Sequence, residues 1–247
     1  MEQIRKIVNE TIEELMSMHR DKWTRDYIKQ NREKFVSDVS SIVRITPDQG
    51  TVGDFGAAPF VTPISLAKLG YDVVAFDIDP SRFEHRQLTK YEIVKLDLDH
   101  WDGVKYVGHF DTIIFTEIFE HLRGNLIDIM RNVLESSVKG GRVLLTTPNF
   151  RSIMGIYKFL FKGVAYASSR DLHEEWAKIE TIGHMGHVRE YTISELKHFM
   201  TKIGFEIESA RSVPVCFGHD FRNRLMFGLE KLTGLGSNSE LIMRRPG

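Results

Sequence analysis

Short apolar runs alternate with amphipathic segments along most of this chain, and this alternation constrains its fold more than any other feature. Five runs between residues 50 and 150 are typical of strands: GTVGDF, YDVVAFDID, YEIVKLDL, DTIIFT and RVLLTTPN. One helix is predicted from Thr62-Pro63, as N-cap and first helical position, to Gly70, and another over residues 126–138 before a pair of glycines. Such alternation predicts an α/β fold with a doubly wound, mostly parallel, Rossmann-like sheet and right-handed crossovers.

Segments on both sides of this core complete the predicted architecture. Residues 1–46 carry two sets of apolar side chains at helical spacing, which predict an N-terminal cap of two helices. Residues 151–190 interrupt the alternation with an aromatic and glycine-rich stretch, which we interpret as a lid or substrate insertion. In residues 191–247 a capping box that begins at Thr192 starts a further helix, and the runs FEIESARSVPV and ELIMRR add two late strands around another helix. The sequence therefore predicts a single domain of 247 residues with a seven-stranded sheet and its cofactor-binding core at 50–150.

The composition is that of an ordinary globular protein with balanced charge. There are 33 Lys and Arg residues against 34 Asp and Glu, a formal net charge of −1, which argues against a broad nucleic-acid-binding face. The only cysteine is Cys216, which excludes a disulfide framework and a thiolate metal cluster and fits a reducing compartment. No run approaches the length of a bilayer span and the N-terminus has no secretory pattern, so we expect a cytoplasmic protein without a membrane span.

Acidic residues stand at the ends of successive predicted strands. Asp54, Asp77 and Asp97 end the first three, and Gly56 follows the first where the backbone must turn tightly. In a doubly wound sheet, ligands bind outside the carboxyl ends of the central strands. Asp77 follows Gly56 by about 20 residues, the position from which a carboxylate accepts both ribose hydroxyls of a nucleotide. Each acid alone is also typical of a solvated strand end, but the three together predict an adenosyl-binding pocket.

The motifs of this core resemble those of the class I S-adenosylmethionine-dependent methyltransferases. TVGDFGAAPF is similar to the first motif of that family, YDVVAFDIDP to the second, LDLD to the third and FDTIIFTEIFEHL to the fourth. The resemblance implies that S-adenosylmethionine is the cofactor, with Asp77 on its ribose and Asp97 near its adenine amino group. The cofactor-binding residues that it implies are Asp54, Gly56, Ala57, Ala58, Asp77, Ile78, Asp97, Leu98 and Thr116.

The first motif departs from the family pattern at two positions. Ala58 and Phe60 stand where later glycines would be, so Phe60 must point away from the cofactor. A nicotinamide-dependent oxidoreductase also uses a glycine turn and an acid after the second strand, but it predicts glycine at 58 and glycine or alanine at 61, where the chain has Ala58 and Val61. It also leaves Asp97 without a role. A non-catalytic partner subunit of the same fold is a further hypothesis, but it gives no reason for the polar residues at 117–121.

The stretch TEIFEHL places Glu117, Glu120 and His121 directly after the fourth strand. At about 3.6 residues per turn these positions share one helix face, and two carboxylates with an imidazole are donors that divalent cations accept. The same Glu-x-x-Glu-His motif, with a later histidine before a helix, is found in the ubiquinone-pathway O-methyltransferases and the small-RNA 3′-end 2′-O-methyltransferases. His184 and His187 are the later histidines here. The resemblance implies a divalent metal (Mn, Fe, Co, Zn or Mg) on Glu117, Glu120, His121 and His187, with His121, Glu117 and His187 as catalytic residues.

Two other interpretations of these residues stay open. A metal-free enzyme would use His121 or His187 as the base that deprotonates a hydroxyl acceptor. A structural role is the second, because the helix dipole favours acids in a first helical turn.

The predicted acceptor is an oxygen of a small molecule, such as a polyol, a sugar or a phenolic ring. The balanced charge and the aromatic insertion favour it over the 2′-oxygen of an RNA 3′ end, which the resemblance leaves as the alternative. An aromatic cluster such as that of the insertion more often forms core or homodimer contacts, and packing on an aromatic or lipid-like acceptor is the alternative: Tyr157, Phe159, Phe161 and Tyr166. Three residues between the two predicted N-terminal helices would either close over the cofactor or have a plain packing role: Trp23, Arg25 and Tyr27.

Overall fold

A computed structural model describes residues 1–18, 22–80, 91–169, 171–182, 185–215 and 221–247. Its centre is a seven-stranded sheet in the order β3-β2-β1-β4-β5-β7-β6. The strands are β1 Thr51–Phe55, β2 Asp72–Asp77, β3 Glu92–Lys95, β4 Phe110–Thr116, β5 Ser137–Pro148, β6 Glu206–Val213 and β7 Asn238–Arg244. The first five are parallel, and β7 runs antiparallel between β5 and β6. The predicted doubly wound, mostly parallel sheet of seven strands is confirmed.

Within residues 1–18 and 22–50 the structure has three helices before the sheet: α1 Glu2–Met18, α2 Lys22–Gln30 and α3 Arg32–Ile45. The prediction of two helices was therefore wrong. The sequence KWTRDYIKQ of α2 is short and more polar than α1 and α3, and it buries only Thr24 and Ile28, so it offers few apolar side chains from which a helix could be predicted.

Helices cover both faces of the sheet. On one face α1, α3 and α4 (Val61–Lys68) pack with fully buried residues such as Ile12, Val39 and Ile64. On the other face α5 (Leu126–Ser136) and α8 (Ile193–Ile203) contribute Met130 and Met200. Burying a side chain of this size contributes roughly 1.5–3 kcal/mol. This three-layer packing holds the carboxyl ends of the parallel strands at one edge of the molecule.

Two helix boundaries differ from the predicted ones. The helix predicted to begin at Pro63, with Thr62 as its N-cap, begins two residues earlier at Val61, with Phe60 as its N-cap in the left-handed region. The helix predicted to reach Val138 ends at Ser136, because β5 begins at the next residue and contains both Gly140 and Gly141.

The insertion at 151–190 contains two helices, α6 Ile153–Lys162 and α7 Leu172–Ile182. The capping box is present, with Thr192 and Glu195 bonded to each other at the start of α8. A last helix, α9 Phe221–Thr233, connects β6 to β7 as predicted. Cys216 and His184 lie outside the described residues. Among the described helices, none is both long and apolar enough to cross a bilayer.

Candidate active site

The carboxyl ends of β1, β2, β3 and β4 surround a cavity of about 360 Å³. All residues predicted for the cofactor and the metal line this cavity, which also receives side chains from α2, α3 and the end of the insertion. The lining residues predicted from the sequence are Asp54, Gly56, Ala57, Ala58, Asp77, Ile78, Asp97, Leu98, Thr116, Glu117, Glu120, His121 and His187. The parallel sheet brings them together because each stands at or just after the carboxyl end of a strand, apart from His187.

Gly56 makes the turn that follows β1. Its φ is +72°, a region that L side chains rarely adopt, and a Cβ there would lie 2.8 Å from Ile118. The N–H groups of Gly56 and Ala57 both donate to the carbonyl oxygen of Phe76, at 2.9 Å each. The turn is therefore tied to the neighbouring strand, with its backbone along the cavity wall.

Phe60 points away from the cavity, as the sequence requires. Its side chain is fully buried in the core on the α1, α3 and α4 face, and its ring lies 6.4 Å from that of Tyr91. The backbone of the turn, and not this bulky residue, borders the cavity.

Asp77 and Asp97 are held by local backbone donors. One Asp77 oxygen accepts the N–H of Ala58 at 3.1 Å and the other accepts the N–H of Asp79 at 2.9 Å. Asp97 Oδ1 accepts the N–H of Asp99 at 3.0 Å, and its Oδ2 is 2.9 Å from His100 Nδ1. Because a carboxylate has about four lone pairs, both acids keep acceptor capacity toward the cavity.

A charged cluster that sequence reasoning missed lies beside the ends of β1 and β4. The Lys34 ammonium on α3 is 2.7 Å from Asp38 Oδ2 and 3.9 Å from Glu117 Oε1. Burial raises the pKa of Asp54 well above its usual value, and the charges of Asp77 and Asp38 raise it further. In the sequence, Lys34 and Asp38 stand four positions apart among the apolar residues of α3, and this pattern could have predicted the cluster.

Glu117 is not on a helix, so the predicted helix face shared with Glu120 and His121 is wrong. Its φ is +55°, and only residues 119–121 form a single 3-10 turn. Its Oε1 accepts from the Thr146 hydroxyl and the Asn238 amide, both at 2.8 Å. These bonds hold the Glu117 carboxylate against β5 and β7.

Glu120, His121 and His187 form a compact cluster at the cavity wall. Each offers a ligand atom within 4.8 Å of the other two, and Glu117 is not part of this group. The imidazole centroids lie 4.7 Å apart, and Glu120 is 1% exposed. His187 reaches the cluster because the N–H of Val188 donates to the Glu120 carbonyl oxygen at 2.8 Å.

Each member of the cluster is oriented by a partner behind it. Glu120 Oε2 accepts the Thr147 hydroxyl at 2.8 Å, and His121 Nδ1 is 3.0 Å from the carbonyl oxygen of Gly186, which accepts its proton. His187 Nδ1 is 3.2 Å from Glu190 Oε1. Glu120 Oε1 is 4.0 Å from His121 Nε2, and side chains that converge in this way with partners behind them are typical of ligands supported by an outer shell.

The cluster is also electrostatically coupled. Burial, followed by the charge of Glu117, raises the pKa of Glu120 to about 8. Burial lowers the pKa of His187, but its hydrogen bond to Glu190 and the charge of Glu120 outweigh that effect, so this pKa is raised. A buried carboxylate that resists ionisation beside two imidazoles favours a proton or a cation.

The aromatic residues of the insertion do not border the cavity. Tyr157, Phe159 and Phe161 are 46%, 55% and 72% exposed, and Tyr166 is buried with its hydroxyl 3.5 Å from the Val188 carbonyl oxygen. None of the four is among the described residues that line this cavity, and the alternative of core or homodimer contacts stays a prediction. Trp23 and Tyr27 of α2 do line it, whereas Arg25 is not among its lining residues.

Comparison with known proteins agrees with this architecture. The chain matches the family described as Methyltransferase domain over residues 27–210. No curated protein matches it in sequence.

Three solved structures show the same fold. A chain of the complex that contains the Haloferax volcanii Trm112 methyltransferase activator has a TM-score of 0.62 at 13% identity, covering 91% of this chain and 95% of that one. A SAM-dependent methyltransferase from Archaeoglobus fulgidus has a TM-score of 0.58 at 14% identity, with 91% and 100% covered. One from Mesorhizobium loti has a TM-score of 0.56 at 14% identity, with 83% and 96% covered.

The family match spans most of the chain, from α2 to β6, and includes every predicted cofactor and metal residue. The chain belongs to the methyltransferase-domain family and is a class I S-adenosylmethionine-dependent methyltransferase.

Proposed function

We propose that this enzyme transfers the methyl group of S-adenosylmethionine to an oxygen of a small molecule, and that Glu120, His121 and His187 hold a divalent cation beside that oxygen. The observation that carries the proposal is the convergence of one carboxylate and two imidazoles within 4.8 Å at the wall of the cavity. This donor set suits Mn²⁺, Fe²⁺, Co²⁺ or Zn²⁺ better than Mg²⁺.

The cavity residues fit S-adenosylmethionine. A volume of about 360 Å³ lies within the range of about 300–1,000 Å³ typical of ligand pockets. Asp77 has acceptor capacity for the ribose hydroxyls, and Ile78 and Leu98 offer apolar contacts to the adenine. We assign the cofactor to the ends of β1, β2 and β3, leaving the Glu120 cluster for the acceptor.

Methyl transfer from a sulfonium needs an acceptor oxygen that is positioned and partly deprotonated. A divalent cation, when bound, would lower the pKa of the hydroxyl and fix its direction. Glu120 would offset part of the positive charge, while Gly186 and Glu190 hold the rings of His121 and His187 in orientation. We do not include Glu117 among the ligands, because Thr146 and Asn238 engage its Oε1.

The charge of the cavity supports a small acceptor over RNA. Among the described lining residues the lysine and arginine side chains are Lys34 and Arg123, and each pairs with an aspartate. A nucleic-acid end would be expected to meet unpaired basic groups at the cavity mouth.

A second candidate mechanism uses His187 as a base without a metal. The Nδ1 of His187 faces the buried Glu190 carboxylate, the arrangement that orients a histidine base and leaves Nε2 to take a proton. The acceptor class is the same in both mechanisms.

Labelled methyl transfer to a panel of phenols, sugars and polyols, with an RNA 3′-end oligonucleotide in parallel, tests the proposal. We expect transfer to a small hydroxyl compound, loss of activity with chelator, recovery with added metal, and unchanged S-adenosylhomocysteine binding by calorimetry. His187→Ala should lower metal affinity and rate together, whereas His173→Ala, at an exposed position of α7, should change neither. Full activity in chelator would refute the metal and leave His187 as the base, and methylation of only the RNA would refute the acceptor class.

A further inference from the structure

Lys34 is a buried cation in the wall of the cavity. It comes from α3 in the N-terminal helical cap, and its side chain is 12% exposed. Its ammonium group donates to Asp38 at 2.7 Å, and Glu117 at 3.9 Å is beyond hydrogen-bond distance. An ammonium group has three donors, and the described residues account for one of them. Two donors are therefore available to a molecule in the cavity.

A structural ion pair alone explains this placement poorly. Taking a lysine out of water costs several kcal/mol unless its donors are satisfied. A pair that served only to stabilise α3 would gain nothing from lining a cavity, and surface pairs such as Lys68 with Glu14 are available for that purpose.

The charges around Lys34 complement the amino-acid end of S-adenosylmethionine. That end has an ammonium, a carboxylate and, one short chain away, a positive sulfonium. The acids Asp38 and Glu117 match the positive groups, and Lys34 matches the carboxylate. Asp54, which is 2% exposed, lies among the same lining residues.

The order of the strands sets the direction in which the cofactor would lie. Asp97 and Asp77 follow β3 and β2, where adenine and ribose are assigned, and β1 and β4 come next across the sheet. Glu117 follows β4, and the 3.9 Å distance to Lys34 places α3 at that end of the cavity. A molecule with its adenosine on the β2 and β3 side thus extends its amino-acid end toward Lys34.

We propose that Lys34, oriented by Asp38, binds the carboxylate of S-adenosylmethionine, so that the N-terminal helical cap completes the cofactor site. This assignment rests on the proposed placement of the cofactor in the cavity. It concerns binding alone, and therefore does not depend on the metal or on the acceptor.

Calorimetry with two ligands isolates the carboxylate. S-adenosylhomocysteine carries it, and the decarboxylated analogue of S-adenosylhomocysteine keeps the adenosine and the amine but lacks it. The wild-type chain should prefer S-adenosylhomocysteine by about 10- to 100-fold, the value of a hydrogen bond to a charged group. Lys34→Met should abolish this preference by weakening S-adenosylhomocysteine alone. Lys34→Arg should retain most of it, and Lys68→Met, a paired lysine on α4 outside the cavity lining, should leave it unchanged.

The analogue also reports whether each variant is folded, because its binding does not need the carboxylate. If Lys34→Met leaves Asp38 unpaired and the chain unfolds, the double variant Lys34→Met with Asp38→Asn removes both charges and should show the same loss of preference. A preference that survives in either variant, or that the wild type lacks, would overturn the assignment of Lys34 alone. Failure of the wild type to bind either ligand would overturn the cofactor placement and this assignment with it.

Discussion

Glu190→Gln is the change that most directly tests how the His187 side of the site is held. Glu190 lies in the insertion, with its side chain fully buried, and accepts hydrogen bonds through both oxygens. The donors are the backbone N–H groups of Ala167 and Ser168, the Ser168 hydroxyl and His187 Nδ1. These bonds depress the pKa of Glu190 despite its burial. One carboxylate therefore joins the segment at 167–168 to the histidine of the cluster.

Glutamine keeps the shape of Glu190 but replaces one acceptor oxygen by a donor nitrogen. The backbone N–H of Ala167 or of Ser168 then faces the new NH₂ group in place of an acceptor. A buried N–H donor that loses its acceptor costs about 1–3 kcal/mol of stability. His187 also loses its buried ionic partner, and breaking a buried pair costs about 3–5 kcal/mol in all. For a chain of this size, about 2–4 °C is lost per kcal/mol, so the melting temperature should fall by roughly 6–20 °C.

Thermal melts in chelator, followed by circular dichroism, measure this effect without a contribution from metal. Glu206→Gln on β6 is the matched control, since Glu206 pairs with Arg244 where both side chains are about half exposed. Its cost should be within about 1 kcal/mol. If Glu190→Gln melts within the range of the control, the buried network does not hold the insertion as argued.

Three further changes test other parts of the site. Asp77→Ala should weaken S-adenosylmethionine binding by about 1.5–3 kcal/mol in calorimetry, as expected for hydrogen bonds to a charged group, and an unchanged affinity would refute its ribose role. Gly56→Ala should lower stability by roughly 1–3 kcal/mol in denaturant titration, because φ is +72° and the new Cβ would meet Ile118 at 2.8 Å; a neutral result would show that the turn relaxes. Asp54 has a pKa raised first by burial and then by acidic neighbours, so its contribution to stability is complete below about pH 4 and is lost as pH rises through the raised pKa. In the cofactor-free chain Asp54→Asn should therefore lose less stability than the wild type between acid and neutral pH, and melts with the same pH dependence would contradict this.

Local patterns in the sequence were sufficient for most of the fold and failed at specific residues. Strands are read from apolar runs, so all seven were predicted, whereas α2 was missed because it buries only Thr24 and Ile28. Glu117 was placed on a helix because its spacing to Glu120 and His121 is helical. The real backbone turns through the left-handed region at Glu117, whose carboxylate accepts hydrogen bonds from Thr146 and Asn238. Those partners lie 29 and 121 positions away in the chain, beyond the reach of a local pattern.

The sequence by itself determined which polar residues stand at the ends of the first four strands. Each of these strands has an acid at or just after its carboxyl end, and β1 is also followed by Gly56, and a parallel sheet necessarily gathers these ends at one edge. The sequence could not determine which side chains converge from other elements. Lys34 arrives from a helix before the sheet, and His187 arrives through the bond of Val188 to Glu120, so both positions depend on packing between segments far apart in sequence. The aromatic residues of the insertion were predicted from composition alone, which cannot distinguish an exposed helix face from a cavity wall. In the structure Tyr157, Phe159 and Phe161 are exposed. Side-chain periodicity is a property of neighbours along the chain, whereas the cation, the carboxylates and the imidazoles of this site meet only after the helices have packed on the sheet.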